Sequence, residues 1–221
     1  MCQVQVAKIV IYMFYHSMQI CKNYSYTPNF QALPVAKVIT PQEKLTLVLL
    51  DKNYDGEALQ KLLYSFMDGS IKDKFPNTLQ AAMKVFLENA FESINQKGIK
   101  GVISIMDGMP TGLITYNIDK TQNEIYINSL AAWIPKSLKK IKNNGRMLVR
   151  QVYEEALNSG ITEVAVVPGF TSLPFYEKLG FKSNGHKTCI SYDKIKKQIQ
   201  SLNQKFIYTK VTDTKPVNLL V

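Results

Sequence analysis

Two neighbouring segments, EIYINSLAAWIP at residues 124–135 and KNNGRMLVRQ at residues 142–151, form the centre of the predicted fold. The first segment is apolar almost throughout and is stopped by Pro135, so it predicts a buried strand. The second begins with turn residues and Gly145 and continues as an apolar stripe at helical spacing, formed by Met147, Leu148 and Val152. Together they predict a strand followed by a loop that opens a helix.

The start of this helix is a candidate anion site. The first N–H groups of a helix have no partner within it, and the helix dipole places positive potential at the same point. A phosphate or pyrophosphate is therefore a suitable ligand. Alternatively, the segment is an ordinary strand–turn–helix connection in which Gly145 only shapes the bend. This stretch alone does not separate the two interpretations.

A second strand and a second helix follow further along the chain. ITEVAVV at residues 161–167 predicts a buried strand, which is ended by Pro168. LPFYEKLGF at residues 173–181 predicts a short helix broken by Gly180. The chain therefore reads strand, helix with an anion-binding start, strand, short helix.

This order of elements and the FYEKLGF run resemble the GNAT superfamily of acetyl-CoA-dependent N-acetyltransferases. In that family the turn before the first of these helices follows the pattern Q/R-x-x-G-x-G/A. Here KNNGRM at residues 142–147 keeps the central Gly145, while Lys142 replaces Gln or Arg and Met147 replaces the final small residue. The resemblance covers residues 44–192.

The resemblance implies an α/β (α+β) fold, the GNAT acyl-CoA N-acyltransferase fold, in which a mixed central sheet is flanked by helices. It implies an N-acetyltransferase that moves an acetyl group from acetyl-CoA, as cosubstrate, to a primary amine. The acceptor stays open among polyamines, aminoglycosides, amino acids, peptide N-termini and protein lysines. Monomer and homodimer are both compatible with the sequence.

The resemblance also assigns residues to the acetyl-CoA site. The turn would hold the pyrophosphate of acetyl-CoA with Lys142, Asn143, Asn144, Gly145, Arg146 and Met147. In the family the central strand splays from its parallel neighbour, and unpaired N–H groups near a bulge bind the thioester carbonyl and the pantetheine arm. By position, that role falls to the backbone of Leu130, Ala131 and Ala132.

Three residues are candidates for proton transfer. Tyr176 lies where many family members carry a tyrosine that protonates the departing CoA thiolate, and its alternative role is packing. Glu124 begins the central strand, as a glutamate does in the histone-acetylating branch, and is the candidate general base; a solvated carboxylate opposite a lysine is the alternative. Tyr126 lies two residues further on the same face and is the second candidate, acting through water.

Two departures from the family pattern favour a different class of function. Gly169 stands where the family often has an asparagine, seven residues before the tyrosine. Met147, if it points into the turn, would crowd the pyrophosphate. The alternative is therefore a catalytically weak or inactive GNAT-like module that binds CoA or serves as an interaction domain.

The charge of the chain does not indicate nucleic-acid binding. The formal net charge is +10, but only two of the 27 basic residues, Arg146 and Arg150, are arginine. Lysine lacks the planar fork that reads bases and grips phosphates in two places. Solvated lysine faces are the preferred interpretation, and both arginines fall in the first turns of the predicted anion-binding helix.

The cysteines and histidines predict neither a disulfide framework nor a metal site. Cys2, Cys21 and Cys189 are scattered and form no C-x-x-C motif, which favours a reducing compartment, the cytoplasm. His16 and His186 are the only histidines, so a histidine-based metal cluster is not expected.

The sequence divides into an N-terminal extension at residues 1–43, a domain at residues 44–211 and a C-terminal tail at residues 212–221. The apolar core of the extension, Ile9–Tyr15, is too short to span a bilayer. Two helices are predicted between residues 53 and 98. Further predicted elements are strands at Lys44–Leu50, Gly101–Ile105, Thr111–Ile118, Lys187–Tyr192 and Lys205–Val211, and a helix at Asp193–Gln204.

Overall fold

The structure is a computed structural model that describes residues 33–39, 44–50, 89, 96–107, 109–134, 138, 142–169 and 171–211. The predicted helices between residues 53 and 98 lie outside these ranges apart from a few positions, as do most of the N-terminal extension and the C-terminal tail.

Nine strands and three helices are bounded within the described residues. The strands are β1 Leu33–Ile39, β2 Lys44–Leu50, β3 Ile99–Met106, β4 Met109–Asp119, β5 Glu124–Ala132, β6 Glu163–Val166, β7 Lys182–Asn184, β8 Lys187–Ser191 and β9 Ile207–Lys210. The helices are α1 Asn144–Ser159, α2 Leu173–Lys178 and α3 Tyr192–Asn203. The predicted strands from residue 44 onward, the helix after Gly145 and the helix before Gly180 are confirmed, with bounds that differ by a few residues.

All nine strands form one sheet in the order β7-β8-β6-β5-β4-β3-β2-β1-β9. Among the described strands, β5 and β6 form the one parallel pair, and every other neighbouring pair is antiparallel. A parallel pair requires a crossover connection, which α1 supplies. The prediction of a mixed sheet flanked by helices is confirmed.

The sheet begins before residue 44. Strand β1, which the sequence assigned to the N-terminal extension, pairs with β2 on one side and with β9 on the other. Strand β9 therefore lies at the far edge of the sheet from β7 and β8, although α3 alone separates it from β8 along the chain. Local patterns do not reveal such a partner, because it lies far away in sequence. The three-residue strand β7 was not predicted; all of its residues are exposed, so no apolar pattern marks it.

Helix α1 lies inside the protein. Seven consecutive residues, 147–153, are buried, so the middle of the helix is covered on every side rather than along one stripe. Its neighbours include the sheet strands β3–β6 and the helix α3. No helix within the described ranges is both long enough and apolar enough to cross a membrane.

Candidate active site

Strands β5 and β6 separate halfway along β5. Their parallel pairing runs from Glu124 opposite Glu163 to Ile127 opposite Val166, where β6 ends. At that point β5 contains a bulge: Thr115 of β4 pairs with Ser129, but the next residue of β4 pairs with Ile127, so Asn128 is the extra residue. The remainder of β5, residues 129–132, has no described strand on this side. Beyond Ile127 the described residues of β5 and β6 are no longer paired, and this unpaired stretch beside β5 is called the gap below.

Backbone groups of β5 point into this gap at alternate residues. Trp133 donates its N–H to the carbonyl of Thr111 in β4, at 2.8 Å. Because N–H and C=O directions alternate along a strand, Ala131 also faces β4, whereas Leu130 and Ala132 face the gap. The carbonyl of Ala131 indeed lies against Gly112 of β4. The geometry therefore suits Leu130 and Ala132 as backbone ligands and does not suit Ala131.

The N-terminus of α1 presents three N–H groups without a helical partner. Asn143 precedes the helix with a positive φ of 61°. The first helical bond runs from the N–H of Met147 to the carbonyl of Asn143, at 3.0 Å. The N–H groups of Asn144, Gly145 and Arg146 come before it, no side chain among the described residues caps the helix, and its first turn contains no acidic residue. This end of α1 is therefore suited to an anion.

Asn144 holds this turn against the sheet. Its side chain is buried, and its amide donates to the carbonyl of Thr111, at 2.5 Å. The approach is close because residue 112 is glycine: a Cβ there would lie 2.9 Å from the carbonyl oxygen of Ala131, 2.9 Å from Cδ1 of Leu148 and 3.0 Å from Nδ2 of Asn144. The sequence analysis missed Gly112, although a glycine inside a strand pattern commonly marks such a contact.

The side chain of Met147 does not enter the turn. It is fully buried in the hydrophobic core, and its N–H is used by the helix. The predicted crowding of a pyrophosphate by Met147 therefore does not occur. Lys142 and Arg146 remain at the turn: Lys142 is exposed, and Nη1 of Arg146 donates to Oδ1 of Asn143, at 3.3 Å.

Arg150, by contrast, faces away from the turn. Its Nη2 atom donates to Oδ1 of Asn203 at 2.8 Å and lies 3.0 Å from a carboxylate oxygen of Glu154. Its guanidinium lies 3.3 Å from the ring centroid of Tyr208 in β9. Burial lowers the pKa of Arg150, although the charge of Glu154 opposes that shift. Arg150 thus packs α1 against α3 and β9, and Arg146 is the one arginine of the two at the turn.

Tyr176 lies in α2 and is buried among aromatic rings. Its ring contacts Phe175 edge-on at 5.1 Å between centroids and Phe181 edge-on at 5.3 Å. Burial raises the pKa of Tyr176 well above its usual value, so the phenol is neutral at physiological pH. The hydroxyl of Tyr153 in α1 donates to the carbonyl of Leu179, just after α2, at 3.1 Å.

Glu124 lies at the closed end of the β5–β6 pair. It accepts a hydrogen bond from Lys187 of β8, which also lies 3.0 Å from Glu163 of β6. The hydrogen bonds from Lys187 to Glu124 and to Glu163 raise the pKa of Lys187. Glu124 precedes the bulge at Asn128 by four residues, roughly 13 Å at about 3.3 Å per residue. Tyr126, partly exposed and on the same face, is closer to the gap.

Comparison with other proteins finds structural matches but no sequence matches. Neither a scan of protein-family models nor a search of curated proteins finds a match. The PaiA N-acetyltransferase from Thermoplasma acidophilum, in complex with coenzyme A, has 16% identity and a TM-score of 0.45 over 66% of this chain and 97% of its own. A GNAT family acetyltransferase from Brucella melitensis, in complex with acetyl-CoA, has 12% identity and a TM-score of 0.43 over 66% and 88%. The spermidine/spermine N-acetyltransferase SpeG from Vibrio cholerae has 14% identity and a TM-score of 0.45 over 70% and 97%. All three are named as acetyltransferases, and the one from Brucella melitensis is named as a member of the GNAT family.

Proposed function

We propose that the protein is a GNAT N-acetyltransferase that transfers an acetyl group from acetyl-CoA to a primary amine. The observation that carries this proposal is the position of the gap between β5 and β6. The gap opens at Asn128, and Ala132 at its far end is close to the uncapped N-terminus of α1, since a Cβ on Gly145 would lie 3.9 Å from Cβ of Ala132. One end of such a site offers donors to an extended amide-containing arm, and the other offers donors to a diphosphate.

In this proposal the N–H groups of Asn144, Gly145 and Arg146 bind the diphosphate of acetyl-CoA, and Lys142 adds a positive charge at the edge of the turn. The pantetheine arm lies in the gap. Val167, just after β6, and Leu173, the first residue of α2, have 54% and 39% of their surface exposed and are the proposed apolar surface for the arm to cover.

The transfer step needs a polarised carbonyl, a neutral amine and a proton for the thiolate. The N–H of Leu130, which faces the gap, is the proposed donor to the thioester oxygen. The amine nitrogen attacks the carbonyl carbon, and the carbon–sulfur bond breaks as neutral Tyr176 donates its proton to the leaving sulfur. The proton that the new amide nitrogen loses passes through water to the Tyr176 phenolate and restores the phenol. An amine with a pKa near ~10.4 must first lose a proton. Tyr126, acting through water, is the preferred relay, because Lys187 already neutralises Glu124.

A second candidate function is a CoA-binding module without catalytic activity. It is favoured by Gly169, which lacks the side-chain amide that the family often has there, and by the ion pair that engages Glu124. Both functions predict CoA binding, but only the enzyme predicts turnover that depends on Tyr176.

Titration calorimetry with acetyl-CoA tests the binding step. We expect micromolar affinity in the wild type and a loss of more than about 100-fold, or about 2.7 kcal/mol, in Gly145→Glu, which places a negative charge at the diphosphate turn. Asn158→Glu is the matched control, because it adds the same charge at an exposed position near the opposite end of α1. Folding of each variant is checked by thermal unfolding. Folded wild-type protein that does not bind acetyl-CoA would overturn the proposal.

A panel of amines then tests catalysis. We expect at least one amine to be acetylated, and Tyr176→Phe to lower kcat by about 10²- to 10⁴-fold, the usual contribution of a general acid. The Kd for acetyl-CoA should change little, because the hydroxyl acts only on the leaving sulfur. Full activity in Tyr176→Phe would remove this residue from the mechanism, and binding without turnover of any amine would favour the non-catalytic module.

A further inference from the structure

The ring of Phe175 occupies the space where residue 145 would carry a side chain. A Cβ on Gly145 would lie 3.3 Å from Cζ and 3.4 Å from Cε2 of this ring, and 3.9 Å from Cβ of Ala132. Gly145 is helical and has no positive φ, so its conformation does not require glycine. What favours glycine here is the close approach of the Phe175 ring of α2 to the first turn of α1.

Phe175 is the first member of a chain of aromatic contacts. Its ring contacts that of Tyr176, which contacts Phe181, which in turn stacks on Tyr153 of α1 at 6.2 Å between centroids. The hydroxyl of Tyr153 then bonds to the backbone after α2. Helix α2 has only six residues, so these contacts, rather than its own hydrogen bonds, determine where Tyr176 lies.

We propose that Phe175 is a positioning residue that sets the place of Tyr176 relative to the acetyl-CoA turn. This inference rests on the proposed function, in which the turn binds the diphosphate and Tyr176 protonates the leaving sulfur. The Phe175 ring lies beside both: its Cζ is 3.3 Å from the position that a Cβ of Gly145 would take, and the ring packs edge-on against that of Tyr176, at 5.1 Å between centroids. The distance between the bound diphosphate and the proton donor is therefore set through Phe175.

A double-mutant cycle with free CoA as the probe tests this contact. Gly145→Ala, Phe175→Leu and the double variant are titrated with CoA and unfolded thermally. We expect Gly145→Ala to weaken CoA binding about tenfold, because its methyl displaces the ring and the turn, and Phe175→Leu to restore the affinity to within about threefold of the wild type. Phe206→Leu is the control: it makes the same change at a buried phenylalanine elsewhere, just after α3, and should not rescue Gly145→Ala.

The second measurement is kcat for acetyl-CoA with the amine found in the panel. A residue that only packs against its neighbours would not change kcat through Tyr176. We expect Phe175→Leu to lower kcat about tenfold with the KM for acetyl-CoA within about threefold of wild type, and to cost nothing further when Tyr176 is already phenylalanine. Independent effects of Gly145→Ala and Phe175→Leu on CoA affinity, or multiplied losses with Tyr176→Phe, would overturn the inference. Folded wild-type protein that fails to bind CoA would instead overturn the proposed function. The two failures are thus distinguished.

Discussion

Asn144 and Thr111 connect the first turn of α1 to strand β4. The side-chain amide of Asn144 donates to the carbonyl oxygen of Thr111, with 2.5 Å between the nitrogen and the oxygen. The same carbonyl accepts the N–H of Trp133, the residue that follows β5, at 2.8 Å. One backbone oxygen thus joins two strands and the helix at the point where the proposed diphosphate turn begins.

Asn144→Ala should loosen the turn more than it destabilises the fold. Thr111 keeps its bond from Trp133, and the substitution also removes Oδ1 of Asn144, which is buried without a partner. The expected loss of stability in urea unfolding is therefore about 1 kcal/mol. Affinity for acetyl-CoA should fall several-fold. Asn158→Ala, an exposed asparagine of the same helix, is the control. Unchanged affinity in Asn144→Ala would contradict the anchoring role.

Gly112→Ala should destabilise the protein strongly. The added methyl would lie 2.9 Å from both a backbone oxygen of Ala131 and the side chain of Leu148, and the backbone has little freedom to move away. Overpacking of this kind costs about 1–3 kcal/mol, and we expect a value near the upper end in guanidinium unfolding. Gly169→Ala, where a Cβ meets nothing within 4 Å, should change stability by less than about 0.5 kcal/mol. Equal effects of the two substitutions would show that α1 does not lie this close to β4.

Of the two arginines of α1, we expect Arg146 to affect CoA binding and Arg150 not to affect it. Arg146→Ala should weaken CoA binding about threefold at low salt and less at high salt, since a partly exposed charge is screened. Arg150→Met should leave the affinity unchanged, because its guanidinium lies beneath Tyr208. Stability should fall by about 1–3 kcal/mol, because Glu154 and Asn203 lose their guanidinium partner. Removal of two buried Arg150 nitrogens, which have no hydrogen-bond partner among the described residues, offsets part of this loss. Loss of affinity in folded Arg150→Met would contradict this division.

Lys187→Met should destabilise the protein most near neutral pH. Burial alone would raise the pKa of Glu163, but the hydrogen bond and charge of Lys187, together with the hydrogen bond of Glu124, leave it below the usual 4.5. The pKa of the Glu163 carboxyl is lower in the folded protein than in the unfolded chain. The interaction with Lys187 therefore stabilises the fold when the pH is above the unfolded pKa, and this contribution is lost as the pH falls through the folded pKa. The pKa of Lys187 is raised above 10.5, so the contribution also declines above that pH.

Thermal unfolding of wild type and Lys187→Met at several pH values measures this dependence. The difference in Tm should be largest between about pH 6 and pH 9 and should shrink below about pH 4. Glu124→Gln is the companion variant: it should lower stability but leave acetyl-CoA affinity and kcat unchanged, because Glu124 lies at the closed end of the strand pair. A Tm difference that is constant with pH, or a large loss of kcat in Glu124→Gln, would contradict the structural role of the cluster.

Local patterns were sufficient for most elements of the fold. Apolar runs bounded by glycine, proline and turn residues marked the strands between residues 44 and 192 except β7, and helical spacing marked α1. The resemblance to the GNAT superfamily located the turn at Gly145 and the tyrosine at residue 176. These features are readable because each depends on residues that are close together in the chain.

Contacts between distant parts of the chain decided the rest. The sequence did not indicate that β1 and β9 pair, that Gly112 admits α1, or that Phe175 fills the space beside Gly145. It also did not show that Arg150 turns towards β9, that Met147 turns into the core, or that Lys187 engages Glu124. The sequence determined which residues are available and the elements they form. Only the packing of those elements, governed by excluded volume and by burial of charge, decided which side chains face the candidate site.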